Sequence, residues 1–137
     1  MSEIIIKDKP KFAVLGAGHG GLAMAGHLAL IGFETKLFNR SEERLWGVKN
    51  SGGIRIESDF GLEGFGQINV ASTDIEEVIS DADIIMVVVP ATAHRFMAEK
   101  SAPFLSDGQI VILNPGRTFG ALEFYQVTKE NNCNKDV

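Results

Sequence analysis

The sequence contains one cysteine, Cys133, in a polar C-terminal stretch of a 137-residue chain. A lone thiol cannot close an internal disulfide and has no neighbouring cysteine with which to hold a metal. Basic charge is also short: 13 Lys and Arg face 18 Asp and Glu, a net charge of −5. A domain that grips nucleic acid normally carries a positive excess, so that class of partner is excluded. The longest apolar run, from Ile84 to Pro90, falls far short of the ~18 residues of a membrane span. The stretch Met1 to Lys7 lacks the charged-then-apolar pattern of an export signal. No histidines and carboxylates stand at metal-ligand spacing. No G-x-S-x-G or Cys/His arrangement marks a nucleophile. Internal repeats and low-complexity tracts are missing too. The expectation is a cytoplasmic, reduced, soluble chain forming a single domain over 1–137, with its core at about 11–130. Such a length holds one domain and not two, which excludes a complete two-domain enzyme within this chain.

Apolar residues are plentiful at 45% and charged residues ordinary at 23%, a composition that can build one core. Glycine is enriched, at about 11% (15 of 137) against a usual share of roughly 7%. These glycines follow no collagen-like period and therefore mark turns and close backbone approaches. Residues 12–15 (FAVL) read as a short buried strand. Gly20 to Ile31 reads as a helix stopped by Gly32. Glu34 to Phe38 reads as a second strand, and Ser41 begins a short helix. Residues 52–57 and 68–70 both alternate and flank Gly61, Gly64 and Gly66, which suggests a small antiparallel hairpin with a glycine-rich connection. Thr73 and Glu76 have capping-box spacing, with Ile75, Val78, Ile79 and Ala82 at helical intervals after them. Residues 84–89 are β-branched and apolar on both faces, the pattern of a central parallel strand. A helix over 91–101 stopped by Pro103, a buried strand over 109–113, a turn over 114–117 and a helix over 121–129 complete the chain. This β-α-β-(hairpin)-α-β-α-β-α order predicts an α/β fold: a doubly wound parallel sheet with an antiparallel insert near the third strand.

Chemistry concentrates in one loop. Gly16, Gly18 and Gly21 fit G-x-G-x-x-G, directly after an apolar strand and at the opening of a helix. The pattern alone is weak; this context makes it a Rossmann-type dinucleotide loop. Gly16 permits the tight turn, Gly18 lets a pyrophosphate approach the backbone, and Gly21 lets the helix pack close to the strand. The helix N-terminus, with Gly20 and the histidine His19 in the loop, presents N–H groups to phosphates. At the end of the second strand, NAD binders place an acid that accepts bonds from the ribose 2′-OH. Asn39, Arg40 and Ser41 stand there instead. Arg40 would pair with a 2′-phosphate, and Asn39 and Ser41 would donate to it. The reading is NADP(H), with NAD(H) second. A solvated surface arginine is the bland alternative.

Ligands of doubly wound sheets lie at the carboxyl ends of the strands. Val89, Pro90 and His94 follow one such end, and Asn114 and Pro115 another. On sequence alone the two prolines read as strand stops. His94 is a candidate for contact near a nicotinamide, although a lone histidine early in a helix more often caps it or faces solvent. His27 reads as helix packing; Trp46, Phe60 and Phe65 as hairpin packing; Phe96, Met97 and Phe104 as core. Asp81 and Asp83 close a helix and start a strand, with no acid/base pair. No catalytic residue is assigned.

Three segments together resemble the N-terminal domain of the octopine/nopaline (opine) dehydrogenase family: FAVLGAGHGG (12–21), ADIIMVVVPATAH (82–94) and GQIVILNPGRTFGALEF (108–124). The last carries most of the specificity, and the likeness runs from about Lys11 to Val137. Glycerol-3-phosphate dehydrogenase and ketopantoate reductase share the layout. The former family usually has a lysine after its fifth strand, where Asn114-Pro115-Gly116 stands here. The resemblance implies reductive condensation, in which an amino acid and a 2-oxo acid form an imine that NAD(P)H reduces. In that family the catalytic residues and most of the substrate pocket belong to a second, largely helical domain. The resemblance therefore implies the cofactor half of a dehydrogenase, inactive alone, with a helical domain or partner chain supplying the substrate site. It also leaves an unpartnered apolar patch through which the chain could form a homo-oligomer. A stand-alone dinucleotide-sensing module is the alternative from another class. FAD or S-adenosylmethionine is the alternative ligand, and Arg40 counts against the second.

Overall fold

Phe12–Leu15 forms strand β1 of the computed structural model, which describes residues 7–137; the Met1–Ile6 part of the N-terminal stretch lies outside the described residues. Ala13 and Leu15 belong to one apolar cluster and Val14 to another, because successive strand side chains point to opposite faces. A strand buried on both faces belongs inside a sheet. It pairs in parallel with β2 (Thr35–Phe38) on one side and, on the other, with β6, the strand Ile84–Val87. β5 (Val70–Ser72) and β7 (Ile110–Leu113) complete a five-stranded parallel sheet in the order β5-β2-β1-β6-β7. The chain reverses its winding between β1 and β6, and the crevice of a doubly wound sheet opens at that point.

Helices cover both faces. On one face α1 (His19–Leu30) and α2 (Trp46–Ser51) pack with Val14, Leu37, Leu45 and Val48. On the other, α3 (Ile75–Ile79), α4 (His94–Ser101) and α5 (Gly120–Glu130) enclose Leu15, Ile85, Met97 and Phe124. β3 (Gly53–Ile56) and β4 (Gly64–Gln67) form a separate antiparallel hairpin that lies against α1. Ile54 and Ile56 come close to Gly26, and Gly66 sits against the Gly26 carbonyl oxygen.

The hairpin differs from the sequence expectation. Its second strand is Gly64–Gln67, and Val70–Ser72 is instead the edge strand beside β2. Alternation shows that a stretch is a strand but does not name its partner. Gly66 is a close approach to α1 rather than a connection. The cap of α3 is Asp74, whose Oδ1 accepts from the Glu76 N–H at 3.0 Å, because the helix begins one residue later than the Thr73 spacing implied. Ser41 leads into a 3-10 turn over Glu42–Arg44, followed by a separate α2. The stretch at 91–101 opens with a 3-10 turn and becomes α-helical only at His94; Pro103 sits inside a following 3-10 turn. β7 is an edge strand with Ile112 exposed, not a buried one. Cys133 is buried with the α5 cluster despite its polar neighbours. His27, Trp46 and Phe60 are exposed; of the aromatics assigned to hairpin packing, Phe65 lies over Gly53 across the hairpin.

Ion pairs tie the amino ends of the strands together. Lys36 Nζ bonds Asp81 at 2.8 Å, and Lys11 Nζ reaches the same carboxylate at 3.4 Å. The Lys11 backbone N–H donates to Asp83 at 2.8 Å, and Lys7 Nζ pairs with Asp83 at 2.6 Å. The Lys36 ammonium bond holds the Asp81 carboxyl below its ordinary range, against some desolvation. The Lys11 backbone N–H, then Lys7, do the same for Asp83.

Two predictions come from this packing. A Cβ at Gly66 would overlap the Gly26 carbonyl oxygen, so Gly66→Ala is expected to lower stability by about 1–3 kcal/mol, read from denaturant midpoints. Gly47→Ala, which meets nothing within 4 Å, should leave the midpoint unchanged or raise it. Because both carboxyls are depressed when folded, their contribution is present above the unfolded value of 3.8 and is lost as pH falls through the lower folded values. The doubly substituted Asp81→Asn, Asp83→Asn chain should therefore be less stable near neutrality and lose less stability below about pH 4 in an acid titration of the unfolding midpoint.

Candidate functional site

The site forms where β1, β2 and β6 end. Gly16 N–H donates to the Phe38 carbonyl at 2.8 Å, and Gly16 itself turns at φ +114°, which a side chain would resist. Val88 N–H donates to the Leu15 carbonyl at 2.9 Å, so the chain after β6 continues alongside the loop. Gly21, in the first turn of α1, sits so close to the Gly16 carbonyl oxygen that a Cβ would overlap it. Gly18 faces open space, with nothing within 4 Å of where a side chain would begin.

Gly18 is also the N-cap of α1, where no side chain caps the helix and no acid stands in the first turn. Leu22 N–H makes the first bond, to the Gly18 carbonyl at 2.9 Å. The N–H groups of His19, Gly20 and Gly21 precede it and have no carbonyl within the helix to bond. His19 and Gly20 are exposed. Free donors, the positive end of a 12-residue helix and open room at Gly18 fit a pyrophosphate.

Asn39 locks this loop to the end of β2. Its Oδ1 accepts from the Ala17 N–H at 3.0 Å, and its Nδ2 donates to the Ser41 carbonyl at 3.0 Å and to Ser41 Oγ at 3.1 Å. The Asn39 amide expected to donate to a ligand is thus engaged within the protein. Arg40 is exposed, its guanidinium 5.7 Å from the centroid of the Phe96 ring; Lys100 Nζ lies 5.8 Å from the same ring. A groove of about 420 Å³ runs between Asn39, Arg40, Ser41 and Arg44 on one side and Val89, Pro90, Thr92 and Phe96 on the other. Thr92, within the strand end expected to line the site, does line it, while Arg44 and Phe96 were missed as groove residues. The signal for Arg44 was its four-residue spacing from Arg40 across a serine-led turn.

The glycine-loop positions Gly16, Gly18, His19, Gly20 and Gly21 are not among the residues lining this groove, and neither are Asn114, Pro115 and His94. Asn114 ends β7, its N–H on the Val87 carbonyl at 2.8 Å, and is joined to Pro115 by a cis peptide bond. Both sit at the carboxyl end of the sheet, one strand further over. His94 is 1% exposed, with no hydrogen-bond partner for Nε2 among the described residues. Its ring packs against Gly120, at the start of α5, because α4 turns that position inward while Thr92 and Phe96 line the groove. No group of three or more metal-ligating side chains occurs among the described residues. Nor is any helix among them long and apolar enough to cross a membrane.

A second concave face lies away from this site. Leu105, Val111, Leu113 and Phe124 line an apolar groove of about 230 Å³ between β7 and α5. Ile112, Phe119, Leu122 and Tyr125 are exposed on these elements and the loop between them.

Comparison with known proteins places this geometry. Residues 11–116 match the family described as NAD-dependent glycerol-3-phosphate dehydrogenase N-terminus. The opine dehydrogenase of Arthrobacter sp. (strain 1C) is 41% identical over 126 residues, covering 92% of this chain and 35% of that protein. A glycerol-3-phosphate dehydrogenase [NAD(P)+] of Thioalkalivibrio sulfidiphilus is 31% identical over 110 residues, 77% of this chain and 31% of that protein. Octopine dehydrogenase, solved with NADH and L-arginine, shares the fold at a TM-score of 0.77 and 21% identity, over 90% of this chain and 32% of that one. The chain spans about a third of the length of these relatives. It belongs to the glycerol-3-phosphate dehydrogenase N-terminal family, as a nucleotide-binding N-terminal domain of the kind found in opine and glycerol-3-phosphate dehydrogenase-like enzymes.

Proposed function

We propose that this chain is the NADP(H)-binding domain of an opine-type dehydrogenase, which reduces the imine formed from an amino acid and a 2-oxo acid. The observation that carries the reaction class is the 41% identity to an opine dehydrogenase. The cofactor is proposed from the end of β2, where Arg40 lines the groove and forms no ion pair among the described residues. An acid at that position would accept from a 2′-OH; an unpaired guanidinium attracts a 2′-phosphate instead.

In this reading the N–H groups of His19, Gly20 and Gly21 hold the pyrophosphate, and Gly18 leaves it room. Asn39 keeps the loop in register with β2. The bound cofactor supplies the hydride. Val89 and Pro90 line the crevice wall, with Asn114 and Pro115 beside it. His94, enclosed under α5, shapes that wall rather than touching the ligand. The apolar groove between β7 and α5, with Ile112, Leu122 and Tyr125 around it, is the proposed seat of a helical substrate domain or partner chain. Hydride transfer requires the substrate to be held in a near-attack position, so the chain alone binds cofactor without turnover.

Two outcomes check this. Calorimetry should show NADPH binding more tightly than NADH, with Arg40→Ala costing NADPH about 1–3 kcal/mol and NADH little; equal or tighter NADH binding removes the NADP assignment. The isolated chain given NADPH, an amino acid and a 2-oxo acid should show no cofactor oxidation by absorbance. Robust turnover would place a complete catalytic centre in these 137 residues and overturn the half-enzyme reading.

A further inference from the structure

The hairpin keeps a free edge. β3 and β4 form a sheet of two strands, and β3 pairs with no other strand among the described residues. The Ile68 N–H donates to the Gly52 carbonyl at 3.0 Å, and this bond sets the phase of the ladder. Successive residues of an antiparallel strand alternate between bonding the partner and facing away from it. Ile54 and Ile56 therefore bond β4, whereas the backbone groups of Gly53 and Arg55 point outward. Proteins blunt such edges with proline, lysine or a bulge. Residues 53–57 (GIRIE) contain neither proline nor lysine, and the register with β4 runs from Gly53 to Ile56 without a bulge.

The side chains along this edge carry a self-complementary pattern. Ile54 and Ile56 face α1. Arg55 and Glu57, two apart, share the opposite side of the strand and are exposed. Neither forms an ion pair among the described residues. Two copies laid edge to edge, antiparallel about a two-fold axis at Ile56, set Arg55 of each opposite Glu57 of the other. The same register matches the outward backbone groups, so it joins the main chains and pairs the charges together. An axis at Arg55 would oppose two arginines, one at Glu57 would oppose two glutamates, and one at Ile54 would leave Arg55 opposite Gly53. The β7 edge is open too, but its residues 110–113 (IVIL) hold no charge with which to select a second copy. Phe60, 97% exposed, and Leu62 stand at the hairpin tip beside the β3 edge and add apolar surface there.

We infer that the β3 edge is an interface for a second copy of this chain, which joins two hairpins into one four-stranded antiparallel sheet. A two-fold contact uses the same patch on both subunits, so the Arg55–Glu57 pair occurs twice in the dimer. Gly64, at the tip end of the hairpin, sits against Leu30 at the last residue of α1. The interface therefore lies at the far end of that helix from the glycine loop and leaves the nucleotide groove open.

The test is sedimentation velocity of the native chain over a wide concentration range, with thermal melts to show that the exposed substitutions leave the fold intact. The native chain should dimerise, less tightly at high salt. Arg55→Glu alone and Glu57→Arg alone should each weaken the dimer by about tenfold, because each sets like charges opposite one another twice. An equimolar mixture of the two variants, and the double variant Arg55→Glu, Glu57→Arg, should both recover it to within about threefold, because both restore opposite charges across the edge. A native chain that stays monomeric throughout overturns the inference. A dimer indifferent to both single reversals uses another face, such as the groove between β7 and α5, and overturns it as well. Loss in the single variants without recovery in the mixture and the double variant rules out this register, and the inference with it.

Discussion

Helix α1 is held by two close approaches that side chains would forbid. At its first turn Gly21 meets the carbonyl oxygen of Gly16, and five residues further along Gly26 meets Gly66 and the isoleucines of β3. The first contact aims the uncapped helix N-terminus across the ends of β1 and β6. The second seats the hairpin on the helix and so decides where the chain re-enters the sheet as β5. Backbone packed directly on backbone leaves no compliant side chain to absorb an error. The orientation of α1, the loop geometry and the placement of the insert therefore depend on one another.

Charge is distributed unevenly between the two ends of the sheet. At the amino ends, lysines 7, 11 and 36 are matched by Asp81 and Asp83, which ties three strands and leaves no vacancy for a ligand. At the carboxyl ends the α1 N-terminus has no acid in its first turn, and Arg40 and Arg44 line one groove whose lining holds no carboxylate. The same sheet is thus neutralised where it is structural and left positive where a doubly wound fold binds its ligand. The exposed β7 edge and α5 form a third region, apolar rather than charged, which suits another protein surface more than a nucleotide.

The strand-loop-helix of residues 12–30 was readable because each cue there is local: a continuous apolar run, glycines at fixed spacing and a glycine stop. Positions whose role depends on the partner were not. The hairpin's second strand was expected over 68–70 and lies at 64–67, because alternation is blind to which strand lies alongside. Cys133 looked solvated among Asn and Lys, yet the chain folds back after α5 and buries it. His94 and Phe96 sit two apart on one helix, where opposite sides diverge: one turns inward under Gly120 and the other borders the groove.

By itself the sequence determined the fold class, the glycine loop and the cluster of polar residues ending β2, since these follow from short-range periodicity and from conformations only glycine adopts readily. It also carried the family likeness, through the segments around residues 12–21, 82–94 and 108–124. Tertiary structure alone decided that Asn39 spends its amide on Ala17 and Ser41, that Arg44 returns to the groove of Arg40, and that an apolar edge remains uncovered at β7 and α5. Each is a matter of which groups are left unpaired once the others have bonded, and that is settled only when distant segments meet.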